Sequence, residues 1–140
     1  MALANINECI HPIAEELRKA YPNVNVTSHS CDVTKSDQVE KLFTDINQKH
    51  KNHLTARIIV NSAGIGPKTS ILDLSESEFD EVIAINLKGT HLVTKAAIKQ
   101  LVEAFPKFNF ENDTQSYASI INLSSQAAKG SFILTSSLCF

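Results

Sequence analysis

The chain has 140 residues, a one-domain length, and 43% hydrophobic against 20% charged residues describes a globular chain rather than a disordered or collagenous one. Thirteen Lys+Arg face 15 Asp+Glu, and Arg18 and Arg57 are the only arginines, so there is no electrostatic footprint for nucleic acid. No apolar run reaches the roughly 20 residues of a membrane helix.

Cys9, Cys31 and Cys139 are far apart and form no CxxC pair, which fits a reducing intracellular compartment. The first 19 residues carry Glu8, Glu15 and Glu16 around one arginine, the wrong balance for a mitochondrial transit peptide. From Glu8 to Ala20, Ile10, Ile13, Ala14 and Leu17 fall at helical spacing, with Asn7 as the expected N-cap and Tyr21-Pro22 as the stop. Val24 and Val26 alternate with polar residues from Asn23 to Thr27, predicting a short strand that ends before Cys31-Asp32-Val33. Thr34 with Asp37 reads as a capping box opening a second helix, whose buried stripe is Val39, Leu42, Phe43 and Ile46. Polar Gln48 to Thr55 is the connection.

Arg57 to Asn61 is an unalternating apolar run, the pattern of a strand covered on both faces in a parallel sheet. It stops at the loop Ser62 to Pro67. Ser75-Glu-Ser-Glu78 is a second capping box, and behind it Phe79, Val82, Ile83, Leu87, Leu92, Val93, Ala96, Ala97, Leu101 and Val102 predict one long helix as far as Pro106. Lys107 to Ser116 reads as a surface loop and Ile120 to Leu123 as a third β run, while Gln126 to Phe140 has no clear pattern. The alternation of helices and strands predicts a parallel α/β sheet with crossover helices, whose ligands bind outside the carboxyl ends of the strands.

Three strand ends then matter: Asp32, the loop after Val60, and the serines after Leu123. Asn61-Ser62-Ala63-Gly64 joins a short polar side chain that can pin a turn to a glycine that lets backbone approach a ligand; a plain strand-ending turn is the commoner meaning of such a tetrapeptide alone. Asn86 interrupts an apolar helix shortly before Gly89, which lowers helix propensity twice. It either marks a kink whose amide satisfies backbone groups or holds a carbonyl at a site to orient water or a side chain. Ser124 and Ser125 are either ordinary loop serines or hydroxyls placed to donate to a substrate oxygen. The scattered histidines and cysteines give no metal-ligand spacing, and no GxSxG elbow of a hydrolase occurs.

Together these strings resemble the short-chain dehydrogenase/reductase family. Asn61 to Gly64 matches its NAG-type motif, Cys31-Asp32-Val33-Thr34 its DV segment, Asn86 its helix asparagine and Ser125 its catalytic serine. The run Ser75 to Lys95 looks most like the branch of 3-oxoacyl-carrier-protein reductases and 17β-hydroxysteroid dehydrogenase type 8. The resemblance implies a Rossmann-like doubly wound sheet binding NAD or NADP, with hydride passed between nicotinamide and a carbonyl or alcohol carbon. It implies Asp32 and Val33 beside the adenine and Asn61, Ala63 and Gly64 on the ribose and pyrophosphate side. Ser125 would hold the substrate oxygen, and Asn86 would support a proton relay. A small carbonyl or acyl-carrier-linked substrate, a cytoplasmic or mitochondrial-matrix setting, and assembly through helix 76–104 follow on the same footing.

Two departures stand beside these matches. No glycine precedes Gly64, so the family's TGxxxGxG turn, which holds the pyrophosphate at a helix N-terminus, is absent, and Met1 to Asn7 looks like the end of the family's second strand. Asn5 stands where the branch often has an acidic residue for the ribose hydroxyls, which leaves NAD and NADP both open. No tyrosine follows Tyr117, so the YxxxK acid/base pair is absent too, and residues 131–140 read as a tail foreign to the family. Loss of that pair alone costs roughly 10²–10⁴-fold in rate. The expectation is an incomplete fold, with the missing strand at the middle of the sheet, and a chain that is inactive as it stands. The alternative role is that of a non-catalytic partner joining full-length subunits.

Overall fold

The computed structural model describes residues 1–50, 55–67, 69–106 and 118–125. In chain order these form β1 (Ala2–Asn5), α1 (Ile10–Ala20), β2 (Thr27–Ser30), α2 (Ser36–Lys49), β3 (Ile58–Asn61), α3 (Glu76–Val82), a π-helical turn (Ile83–Gly89), α4 (Thr90–Ala104) and β4 (Ser119–Asn122). The expected loop from Lys107 to Ser116 lies outside the described residues, apart from which the chain order of helices and strands follows the sequence pattern. The expected tail 131–140 lies outside them as well.

The strands form two parallel pairs. Ala2 to Asn5 run beside Thr27 to Ser30, and Ile58 to Asn61 beside Ser119 to Asn122. Among the described residues no ladder joins the two pairs, the arrangement expected of a parallel sheet without its middle strand. The helices do the joining. A single core, Cys31, Val39, Leu42, Phe43, Ile59 and Ala97, takes residues from β2's end, α2, β3 and α4, with Leu92, Val93, Ala96 and Ile120 packed around it. Asn47 on α2 donates to Gln100 on α4 beside this core.

Several local expectations are corrected. The strand predicted at 23–27 lies at Thr27–Ser30, because β1 pairs there, while Val24 falls in the turn after α1 and is exposed. Only Val26 of the two valines is buried. α1 begins at Ile10 with Cys9 at its cap position and no side-chain cap, so Asn7 does not cap it. Pro12 is tolerated because it sits in the first turn, where no intrahelical N–H bond is lost. Thr34 does not cap α2 either: its N–H and hydroxyl are both spent on Asp32, and Lys35 occupies the cap position. The second box forms as expected, with the Ser75 side chain accepting from the Glu78 N–H and the Glu78 carboxylate accepting from the Ser75 N–H.

β3 is covered on one face only among the described residues. Ile59 is buried under α2 and α4, whereas Ile58 and Val60, at 71% and 53% exposure, point the other way with Ile121 and Leu123. An apolar run cannot by itself say which of its faces finds a helix.

Candidate functional site

Parallel pairing puts the carboxyl ends of β1 and β2 together, and likewise those of β3 and β4. At the first edge, Asp32 Oδ1 accepts from the Thr34 N–H at 2.9 Å and the Thr34 hydroxyl at 2.8 Å, an Asx turn. Gln38 Oε1 accepts from the Asp32 N–H at 2.8 Å, so α2's first turn reaches back to fix the loop. These bonds from Thr34 hold the Asp32 carboxyl below the usual carboxylate range, and it is ionised at neutral pH. Asn5 lies on the adjacent strand end, its Oδ1 accepting from the Asn7 N–H at 2.9 Å and its carbonyl from the Cys31 N–H at 2.9 Å. Burial, and then the charge of Asp32, push the Cys31 thiol up.

At the second edge, Asn61 does more than pin its own turn. Its Nδ2 donates to Asn122 Oδ1 at 2.8 Å and to Thr94 Oγ1 at 3.3 Å, tying β3's end to β4 and α4. Leu123 continues the ladder through its N–H to the Asn61 carbonyl at 2.9 Å, which delivers Ser124 and Ser125 to the exposed edge. Ala63 is exposed in the loop that follows β3.

Asn86 occupies the π-helical turn, where the widened backbone offsets the helix by one residue. Its side chain grips Ile65 in the loop after β3: Oδ1 accepts from the Ile65 N–H and Nδ2 donates to the Ile65 carbonyl, each at 2.9 Å. The same oxygen lies 3.5 Å from where a Cβ on Gly64 would stand. Thr90 Oγ1 donates to the Asn86 carbonyl at 2.7 Å, a side-chain bond one turn back along the helix. The helix expected as one element is thus three, and the break coincides with the asparagine singled out in the sequence.

Gly89 closes the link between the edges. A Cβ there would stand 2.7 Å from Val33 Cγ2, so the π turn and the loop carrying Asp32 touch where only glycine fits. The structure therefore brings Asn61 to Asn122, Gly64 to Asn86 and Val33 to Gly89. Thr94, Gln38 and Asn122, none proposed from sequence as site residues, are the side chains that hold these positions. Among the described residues no group of three His, Cys, Asp or Glu side chains could hold a metal ion, and no helix is long and apolar enough to cross a membrane.

The family model described as "short chain dehydrogenase" matches residues 1–137. The chain belongs to that family. It is 42% identical over 72 residues to the (3R)-3-hydroxyacyl-CoA dehydrogenase of Rattus norvegicus, covering 51% of this chain and 24% of that protein. It is 34% identical over 71 residues to the 3-oxoacyl-[acyl-carrier-protein] reductase MabA of Mycobacterium avium, covering 51% of this chain and 27% of that one. A metagenomic short-chain oxidoreductase solved in complex with NADP superposes with a TM-score of 0.72 and 26% identity over 94% of this chain and 53% of its own. The fold is that of a Rossmann-like short-chain dehydrogenase in part, and the chain spans about a quarter of the length of these two curated relatives.

Proposed function

We propose that the two strand edges form the cofactor-facing side of an NAD(P)-dependent oxidoreductase acting on a 3-oxoacyl thioester or steroid ketone. The observation that carries the reading is the juxtaposition of an ionised Asp32, the Asn61–Asn122 pair and the Asn86 clamp at the ends of parallel strands. Relatives that include a hydroxyacyl-CoA dehydrogenase and an acyl-carrier reductase support the substrate class.

The residues present suit part of such a cofactor. Asp32, held by Thr34 and Gln38, offers an oriented carboxylate and loop backbone for the adenine, with Val33 beside it. Asn61, Ala63 and Gly64 offer a backbone rim for the ribose side. A glycine turn to hold the pyrophosphate at a helix N-terminus is not among these residues, which therefore account for the adenine and ribose side alone. When bound, the cofactor supplies hydride chemistry. The chain's own groups would bind and orient: in this reading the Ser125 hydroxyl donates to a substrate oxygen, and Asn86 positions the loop through Ile65. Without a Tyr/Lys pair no side chain here takes the proton-donor role, and the chain as it stands is proposed to be inactive.

The test is titration of the purified chain with NADPH, followed by fluorescence, together with an assay of 3-oxoacyl thioester reduction. Saturable binding that is abolished by Asp32→Ala and kept in Ser125→Ala, with no turnover, is the expected result. Absence of saturable binding, or turnover at the rate of a full-length relative, would contradict it.

A specific feature also favours assembly through helix 76–104. Leu87, Ile98 and Val102, spaced so as to share one side of the helix, are each between 45% and 49% exposed. Light scattering should show a higher mass that falls when Ile98 and Val102 are replaced by lysine; an unchanged monomer in both would exclude this interface.

A further inference from the structure

Away from the strand edges, β2 and the last turn of α2 are joined by a chain of polar side chains with a fixed direction. Asn25 Nδ2 lies 3.3 Å from His50 Nδ1 and 3.4 Å from the Lys49 carbonyl. A carbonyl only accepts, so the amide nitrogen faces this way, and His50 Nδ1 must accept as well. The neutral His50 ring then carries its proton on Nε2, which donates to Thr27 Oγ1 at 2.9 Å. The hydroxyl has one proton, and it goes to His29 Nε2 at 2.9 Å. His29 therefore carries its own proton on Nδ1.

Each link needs both imidazoles neutral. A proton on His50 would set an N–H at Nδ1 against the Asn25 amide donors. A proton on His29 would set an N–H against the Thr27 hydroxyl, whose own proton would have to turn away and lose its acceptor, leaving the oxygen to accept from two ring N–H groups crowded against each other. His29 is 6% exposed, so the hydroxyl is its route to satisfaction.

We propose that the Asn25–His50–Thr27–His29 chain is a proton-sensitive latch that fixes the last turn of α2 to β2 and opens on acidification. The charges around it favour opening. Burial lowers the pKa of His29 most; Lys49, His50 and Lys41 on the α2 side lower it further, and only Asp45, itself paired to Lys41 at 2.7 Å, opposes them. From β1, Ala4 is in register with His29 and brings no charge. The N-terminal ammonium bonds the Asn25 carbonyl, and α1 places Arg18 on the Val26 carbonyl and His11 on Ser28, the strand neighbour between Thr27 and His29.

The sign follows from linkage. A histidine whose folded pKa lies below its unfolded value contributes its stability fully above the unfolded value of about 6.5, and loses it as pH falls from there toward the folded value. The reporter is the His50 N–H, bonded to the Ile46 carbonyl at 2.9 Å in the last turn.

The experiment has two arms on the whole chain. Nitrogen NMR at pH 7.5 reads the tautomers: His50 protonated on Nε2 and His29 on Nδ1 are expected, and the opposite pair overturns the latch in the unmodified protein. Hydrogen exchange of the His50 amide, corrected for its intrinsic pH dependence, should then quicken below pH 6.5 by up to about tenfold per pH unit for one imidazole. His29→Gln and His50→Gln should each flatten that response, and His11→Gln should leave it intact. A response that survives both glutamine variants, or none in the unmodified chain, overturns the proposal.

Discussion

Replacing Gly89 by alanine sets two known effects against each other at one atom. The residue's backbone is right-handed helical, φ -59° and ψ -50°, so a side chain there meets no conformational penalty, and helix propensity alone favours alanine by about 1 kcal/mol. The new Cβ, however, would stand 2.7 Å from Val33 Cγ2 and 3.2 Å from Val33 Cβ. Carbon atoms pack best about 3.5–4.0 Å apart. Turning Val33 about its first torsion moves the methyl but not the Cβ, so the loop backbone must shift as well. Overpacking of this kind costs about 1–3 kcal/mol, which leaves a net loss of about 1 kcal/mol, or about 3 °C in melting temperature.

The assay is urea denaturation of a double-mutant cycle. Gly89→Ala should destabilise the chain, Val33→Ala should remove the 2.7 Å contact while leaving the one at 3.2 Å, and Gly89→Ala in that background should cost clearly less than in the parent. Gly66→Ala, which meets nothing within 4 Å, is the reference for an unhindered site. A Gly89→Ala variant that is more stable than the parent, or whose cost is the same with and without Val33, would refute the close contact between the π turn and the Asp32 loop.

Three further outcomes follow from the geometry. Ser75→Ala removes one arm of the capping box and should cost about 1 kcal/mol in urea titrations, with fraying confined to α3. Asn86→Ala deletes both bonds to Ile65, so exchange of the Ile65 amide should quicken by about tenfold while the amides of α2 keep their protection. Peptide mapping after brief treatment with a thiol reagent at pH 7.5 should find Cys9 modified well ahead of Cys31. Cys9 is exposed, whereas Cys31 is buried with its thiol pushed up by burial and by Asp32, and equal labelling would contradict that placement.

What the sequence reveals here is what it encodes within a few residues. The Ser75–Glu78 box is local chemistry and forms as read, and the apolar runs at 57–61 and 120–123 are strands because nothing else suits them. β2 escapes the same method because its alternation is between polar residues: Thr27 and His29 turn toward α2's end, and Ser28 turns toward α1. Thr34 has the right spacing to cap α2, but Asp32, two residues away, competes for it and wins. At the site, resemblance selects Asp32, Asn61, Asn86 and Ser125. The groups those asparagines hold lie far off in the chain: Ile65 for Asn86, Asn122 and Thr94 for Asn61. Spacing along a single strand or helix carries no trace of such partners, and the π turn leaves no sign beyond an asparagine and a glycine in an apolar helix.

The two parallel strand pairs have a consequence for cooperativity. With no hydrogen-bond ladder between them, one half of the described chain is bound to the other chiefly by the side-chain seam of α2 against α4, Phe43, Leu42 and Val39 on one bank and Ala97 with Ile59 on the other, flanked by the Asn47–Gln100 bond and the Val33–Gly89 contact. A lesion in either strand pair weakens its own half. A lesion in the seam uncouples the halves, so that β1–α1–β2 and β3–α4–β4 open as separate units, each with its own protection against exchange.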